Sequence, residues 1–212
     1  NVNVGVGTVL HAGDVEEVKA VSTHNRIAVG EHENEAVGGG NISIGARNDA
    51  EMYSKTYVNT WGGVGVIGTT NDVVFDGATN VNFAGRAETA NGDVRLAAGR
   101  NSSGNASVIN VTADGTLLNG TIIPISHTKN PTAKVYSDAK ITIGTTARIE
   151  SDADIYLQTN AGTINALGTG EVHDWAHAIG EIFDSSSWKI GTSSVEKSAD
   201  VEVNGHLETG IH

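Results

Sequence analysis

Apolar and polar residues alternate along this chain in short runs that end at glycine or restart at aspartate. The phrase apolar–x–apolar–Gly occurs as Val2, Val4, Gly5; as Ile27, Val29, Gly30; as Ile42, Ile44, Gly45; and as Ile141, Ile143, Gly144. A second phrase opens on aspartate: "DVVF" from Asp72, "DVRL" from Asp93, "DIYL" from Asp154 and "DVEV" from Asp200. Alternation with period two puts apolar side chains on one face of a strand and polar ones on the other. Glycine or Asp-Gly at the ends supplies the positive φ of a sharp corner.

The interval from Asp72 to Asp93 is 21 residues, and that from Asp93 to Asp154 is 61, close to three times as long. Spacing near 20 predicts a solenoid with two or three short strands per coil. Nine or ten rungs at about 4.8 Å would give a body roughly 45 Å long. The expected fold is all-β, a right-handed parallel β-helix occupying residues 1–212 as one body. A β-sandwich, the rival, would show turn signals every ~8–12 residues.

Three segments break the rhythm. "GGVGVIG", Gly62 to Gly68, reads as a strand where backbones or sheets approach closely. Ala113 to Val135 holds both prolines and reads as a side loop before the coils resume. Gly170 to Trp188 predicts a short helix, centred near Glu171 to Phe183. There Val172, Trp175, Ala176, Ile179 and Phe183 fall on helical spacing, with Asp184 and serines to end it. The organisation expected is coils over 1–112, a loop excursion over 113–135, coils over 136–170, a helical insertion over 171–188 and terminal strands over 189–212.

Composition narrows this further. The chain has 27 glycines in 212 residues, about double the usual ~7%. Aromatics make up only 5%, which suits a narrow aliphatic core. A net charge of −12 argues against nucleic acid, whose phosphates need clustered Lys and Arg, and against anionic lipid. Its plainer role is solubility. Cysteine is absent, so disulfides, thiol catalysis and Cys-ligated zinc are excluded. No apolar run approaches the ~20 residues of a helical membrane span. Asn1 begins in mid-pattern without a signal peptide, so the N-terminus reads as a cut or processed edge.

Two constellations could carry chemistry. His173 and His177 in "HDWAH" stand at i and i+4, the spacing of a zinc-binding pair on a helix, but no third ligand is identifiable downstream beyond Glu181, so the expectation is no metal site. The metalloprotease pattern has Glu after the first histidine, whereas this chain has Asp174, one methylene shorter. Glu150, Asp152 and Asp154 recur at period two, and on one strand would present an acidic face for acid–base work or calcium. The plainer reading makes Asp152 and Asp154 turn formers at a corner. "GEHENEAVGGG", Gly30 to Gly40, is most simply a solvated acidic loop. P-loop, G-x-S-x-G and dinucleotide fingerprints are lacking. Calcium-binding nonapeptide repeats are lacking as well.

Several stretches occur in one order: "GDVRLAAGRNSSGN" (92–105), "TIIPI" (121–125), "ARIESDADIYLQTNAGTINALGTG" (147–170), "HDWAHAIGEIF" (173–183) and "VEVNGHLETGIH" (201–212). In that order they resemble a module of large bacterial exported proteins, the filamentous-haemagglutinin-like and leukotoxin-like filamentous adhesins. "SIGARNDAEMYSKTYVNTWGGVGVIG" (43–68) is similar to the repeats that precede it. The resemblance implies a parallel β-helix passenger, exported with an outer-membrane transporter as partner and displayed at or shed from the cell surface. No catalytic residues follow from it. The expectation is a non-enzymatic, cofactor-free, extracellular structural or adhesive segment. Its expected partners are other copies or a longer chain, met through the solenoid ends, and a host-cell or glycan surface. The rival is a carbohydrate-binding or carbohydrate-cleaving β-helix, with a groove at Glu150, Asp152 and Asp154 and platforms at Tyr136, Tyr156 and the tryptophans.

Overall fold

Asp72, Thr132 and Thr192 stand side by side in one parallel ladder, so a full coil of this chain takes 60 residues. The fold is seen in a computed structural model that describes residues 1–12, 18–23, 40–89, 92–178 and 181–210. In chain order the strands are β1 (Val2–Val4), β2 (Val9–Ala12), β3 (Val18–Thr23), β4 (Ile42–Arg47), β5 (Ala50–Thr69), β6 (Asp72–Phe83), β7 (Arg86–Thr89) and β8 (Val94–Ala98). They continue as β9 (Val108–Thr128), β10 (Thr132–Ile143), β11 (Arg148–Ser151), β12 (Ile155–Thr159), β13 (Thr163–Ala178), β14 (Glu181–Ile190), β15 (Thr192–Val203) and β16 (His206–Thr209). Strands of successive coils stack into four sheets, ordered β1-β6-β10-β15, β2-β7-β11-β16, β3-β4-β8-β12 and β5-β9-β13-β14, with β3 and the antiparallel β14 as extra strands in the third and fourth. The architecture is a parallel β-helix, as the alternation predicts.

The coil is three times longer than the expected one. Asp93 and Asp154, 61 residues apart, are neighbours in successive coils and not three coils distant. Each sheet therefore has four layers, which at about 4.8 Å apart span roughly 15 Å. In the first coil Val2 pairs with Val81, whereas Ile42 pairs with Val94. The extra length holds β3, which adds an outermost strand to the third sheet beside β4.

Inward-facing residues stack into columns. Val2, Val81, Ile141 and Val201 form one, Val4, Phe83, Ile143 and Val203 a second, and Leu10, Ala87, Ile149 and Leu207 a third. All but the last member of each column are buried. Burying an aliphatic side chain is worth about 1.5–3 kcal/mol, so these columns supply most of the drive to stack. Corners are fixed by polar ladders and by glycine. The Asp93 N–H donates to Asn41 Oδ1 at 2.7 Å, and the Asp154 N–H donates to Asp93 Oδ1 at 3.2 Å. At the end of β8, Gly99 has φ 75°, and a Cβ there would strike the carbonyl oxygen of Asn160.

The fourth sheet runs past the core as a projection. Asn71 Nδ2 donates to the carbonyls of Ser54 at 3.1 Å and Asp114 at 2.7 Å, so the chain leaving β5 returns beside its middle. Pro131 likewise returns against Gly115, and Gly191 against Gly168. The segment 113–135 is thus an excursion, but of strand and not loop: β9 stays in parallel register with β5 from Ile109 to Thr128. Pro124 lies beyond Thr121, the last β9 residue in register with β13, and so stands at a sheet edge opposite Gly65 of β5, the kind of position where proline occurs in strands.

The expected helix near Glu171 to Phe183 is a β-hairpin. β13 and β14 pair antiparallel, with Val172 opposite Trp188 and a register shift between Ala176 and His177. Val172 faces the interior of the projection with Leu117, Val58 and Ile190, while Trp175 lies on the opposite face. Apolar residues on both faces of one strand imitate the i, i+3 spacing of a helix, and β9 offers an unpaired edge that a helix could not use. Ile179 lies outside the described residues. At "GGVGVIG" a Cβ on Gly62 or Gly63 would meet nothing within 4 Å, so these two positions show no close approach, while the surroundings of Gly65 and Gly68 lie outside the described residues. A close approach does occur at Gly120, where a Cβ would run into the ring of Trp61.

Candidate functional site

Strand geometry separates the two histidines. Four residues along β13 span about 13 Å, against roughly 6 Å for one helical turn, and the register shift at His177 intervenes. His173 instead lies 3.2 Å from Glu171 Oε2 and stacks on Trp175, with centroids 5.8 Å apart and planes 12° from parallel. The described geometry thus gives His173 neighbours other than His177. Glu181 opens β14, opposite Ala178.

The three carboxylates do not share a strand. Glu150 lies on β11, Asp152 in the following bend and Asp154 just before β12. Asp152 donates its N–H to the Thr89 carbonyl at 3.2 Å, and Asp154 takes part in the Asn41–Asp93 ladder, as corner residues do. Asp154 Oδ2 also accepts the Tyr156 hydroxyl at 3.0 Å, which holds that phenol above its usual pKa. The Tyr156 ring carries the Arg95 guanidinium 5.2 Å from its centroid. Tyr136 stacks between Asp76 and Glu196 on the first sheet, away from this corner.

Glu150 belongs to a charged ladder on the second sheet. Arg86, Arg148 and His206 stack in one column, and Glu88, Glu150 and Glu208 in the next. Ligand atoms of Glu150, His206 and Glu208 lie within 4.8 Å of one another, a grouping that sequence spacing did not reveal because it spans two coils. Glu150 is nonetheless already compensated, by Arg86 at 3.2 Å and by Arg148 beside it. His206 lies 3.0 Å from Glu208. Stacked like charges repel, and alternating the arginine column with the glutamate column cancels that repulsion.

A further surface comes from the outer face of the projection. Tyr53, Tyr57 and Trp61 recur every fourth residue on β5, so a strand places all three on one face, and they are 63%, 56% and 59% exposed. Trp61 and Trp175 are register partners of Gly120 on either side. Their indoles meet over that glycine with centroids 5.8 Å apart and planes 14° from parallel. His173, Trp175 and Trp61 therefore form a run of near-parallel rings. Beside it, a depression of about 220 Å³ is lined by Glu171, His173, Ser187, Trp188 and Lys189. The cue was present in "YSKTYVNTW", where even spacing of aromatics marks one face of a strand.

Comparison with known proteins returns no matching family model, no matching curated protein and no matching solved structure.

Proposed function

We propose that this chain is a structural and adhesive segment of an extracellular filamentous protein, working without catalysis and without a cofactor. The observation that carries the reading lies at the β15 end of the stack. Val195, Val201 and Val203 are 41%, 38% and 44% exposed, although they continue columns whose members Val135, Ile141 and Ile143 are fully buried. Such an end favours a further coil, supplied by a longer chain or by a second copy. At the opposite end Val2, Val4 and Leu10 stand in the same columns but are already buried, so a second copy stacked head to tail, with Val2 over Val201, Val4 over Val203 and Leu10 over Leu207, would newly cover apolar surface at the β15 end alone. Contacts of this heterologous kind give filaments when they do not close. The ordered resemblance to filamentous adhesins agrees with this reading, and with export through an outer-membrane transporter to the cell surface.

The test has two parts. Negative-stain microscopy of the purified chain should show rods that lengthen with concentration, and Val201→Lys with Val203→Lys should leave only short particles. Beads coated with the chain should adhere to epithelial monolayers or biofilm matrix more than albumin-coated beads do. Short particles at every concentration would refute self-stacking, and beads that adhere no better than albumin would refute adhesion.

A further inference from the structure

The geometry points to the outer face of the projection as a platform for a neutral polysaccharide, an inference that rests on the adhesive reading and names its partner. In-register pairing puts Tyr53, Tyr57, Trp61, Trp175 and the depression residues Glu171, His173, Ser187 and Lys189 on one face of one sheet. From Tyr53 to Trp61 this face is about 26 Å long, and from Thr56 onward four strands make it about 15 Å wide. Open and aromatic, it resembles neither a peptide groove nor an enclosed pocket.

A pyranose ring has two chemical characters. Its axial C–H bonds form an apolar face that lies on an aromatic ring, and its hydroxyls around the rim both donate and accept hydrogen bonds. This surface offers both. Tyr57 and Trp61 stand about 13 Å apart along the strand, so one extended sugar chain can lie across both. Trp61, already stacked on Trp175, loses less freedom on contact than an isolated exposed ring would. The depression beside them supplies a carboxylate acceptor at Glu171, an ammonium donor at Lys189, a hydroxyl at Ser187 and an imidazole at His173. At about 220 Å³ it is smaller than the 300–1,000 Å³ of drug-sized pockets and suits a single sugar ring.

Charge selects among glycans. Glu171 and Lys189 are direct cross-strand partners, which leaves the depression near neutral. The chain as a whole carries −12, so sulfated, uronic or sialylated polymers are repelled at long range. Uncharged hexose or N-acetylhexosamine polymers meet no such barrier.

Native affinity electrophoresis with laminarin, xyloglucan and soluble chitin, and with heparin as the acidic probe, tests this. At least one neutral polymer should retard the chain while heparin does not. Trp61→Ala and Tyr57→Ala should each weaken retardation about tenfold, Trp61→Tyr should restore it, and Tyr136→Ala on the first sheet should leave it unchanged. Far-ultraviolet circular dichroism identifies any variant that fails to fold, and Trp61→Tyr then decides. Retardation by none of the neutral polymers, preference for heparin, or retardation indifferent to both Tyr57→Ala and Trp61→Ala would overturn the platform. Beads that adhere although no neutral glycan binds would sink the platform alone and leave the adhesive reading standing.

Discussion

Trp61 and Trp175 stack across Gly120, two strands apart, because the intervening residue has no side chain. Gly120→Ala places a methyl group against the Trp61 ring and separates the indoles. The far-ultraviolet exciton couplet of the stacked pair should vanish. Stability should fall by about 0.5–1.5 kcal/mol, the worth of an aromatic pair beyond its area. A couplet that survives the substitution would mean the rings meet some other way.

The corner ladder gives a second expectation. Asp93 Oδ1 accepts the Asp154 N–H as Asn41 Oδ1 accepts the Asp93 N–H, so an amide can do the same work as the carboxylate. Asp93→Ala should cost about 1 kcal/mol in urea unfolding. Asp93→Asn should cost nothing or stabilise slightly, since it also removes a like charge beside Asp154. Equal losses from both would show that the charge, and not the hydrogen bond, matters.

Among the described residues Phe83 is the largest fully buried side chain, and it stands between Val4 and Ile143 in its column. Phe83→Ala should lower unfolding free energy by about 3–5 kcal/mol. A loss under about 1 kcal/mol would place that residue outside the core.

Acid should weaken the fold through Asp49. Its carboxylate accepts from the Arg47 guanidinium at 2.9 Å and from the Val108 N–H at 2.8 Å, and the arginine is the main cause of its lowered pKa. A lowered folded value means stabilisation above the unfolded value of about 3.9, lost as pH falls through the folded value. Glu202, lowered by Lys140 and then Asn204, acts with the same sign. Wild type should therefore lose stability more steeply below about pH 4 than Asp49→Asn does. Parallel curves would remove Asp49 from the account.

Legibility in the sequence followed the physics of each element. The strands of the core could be read because one face is buried, as in Ile141 and Ile143, and burial enforces alternation. The coil length could not, because only some strands open on aspartate: Asp72 and Asp93 mark the first and third sheets of one coil, whereas Asp93 and Asp154 mark one sheet in successive coils. The strands of the projection are hidden for a related reason. Val172 and Trp175 are apolar on opposite faces, so β13 loses its period-two signature. Glu150 shows a third limit, since its partner Arg86 lies a full coil away and no local spacing reveals it.

The most direct test of the 60-residue coil exploits the absence of cysteine. Spin labels on Asp76→Cys, Tyr136→Cys and Glu196→Cys would lie in one column, successive labels about 4.8 Å apart. The account predicts that the triple variant gives a single exchange-narrowed resonance, while each single variant gives three lines. Three lines in the triple variant would contradict the stacking of these positions, and with it the parallel coil on which every functional argument above depends.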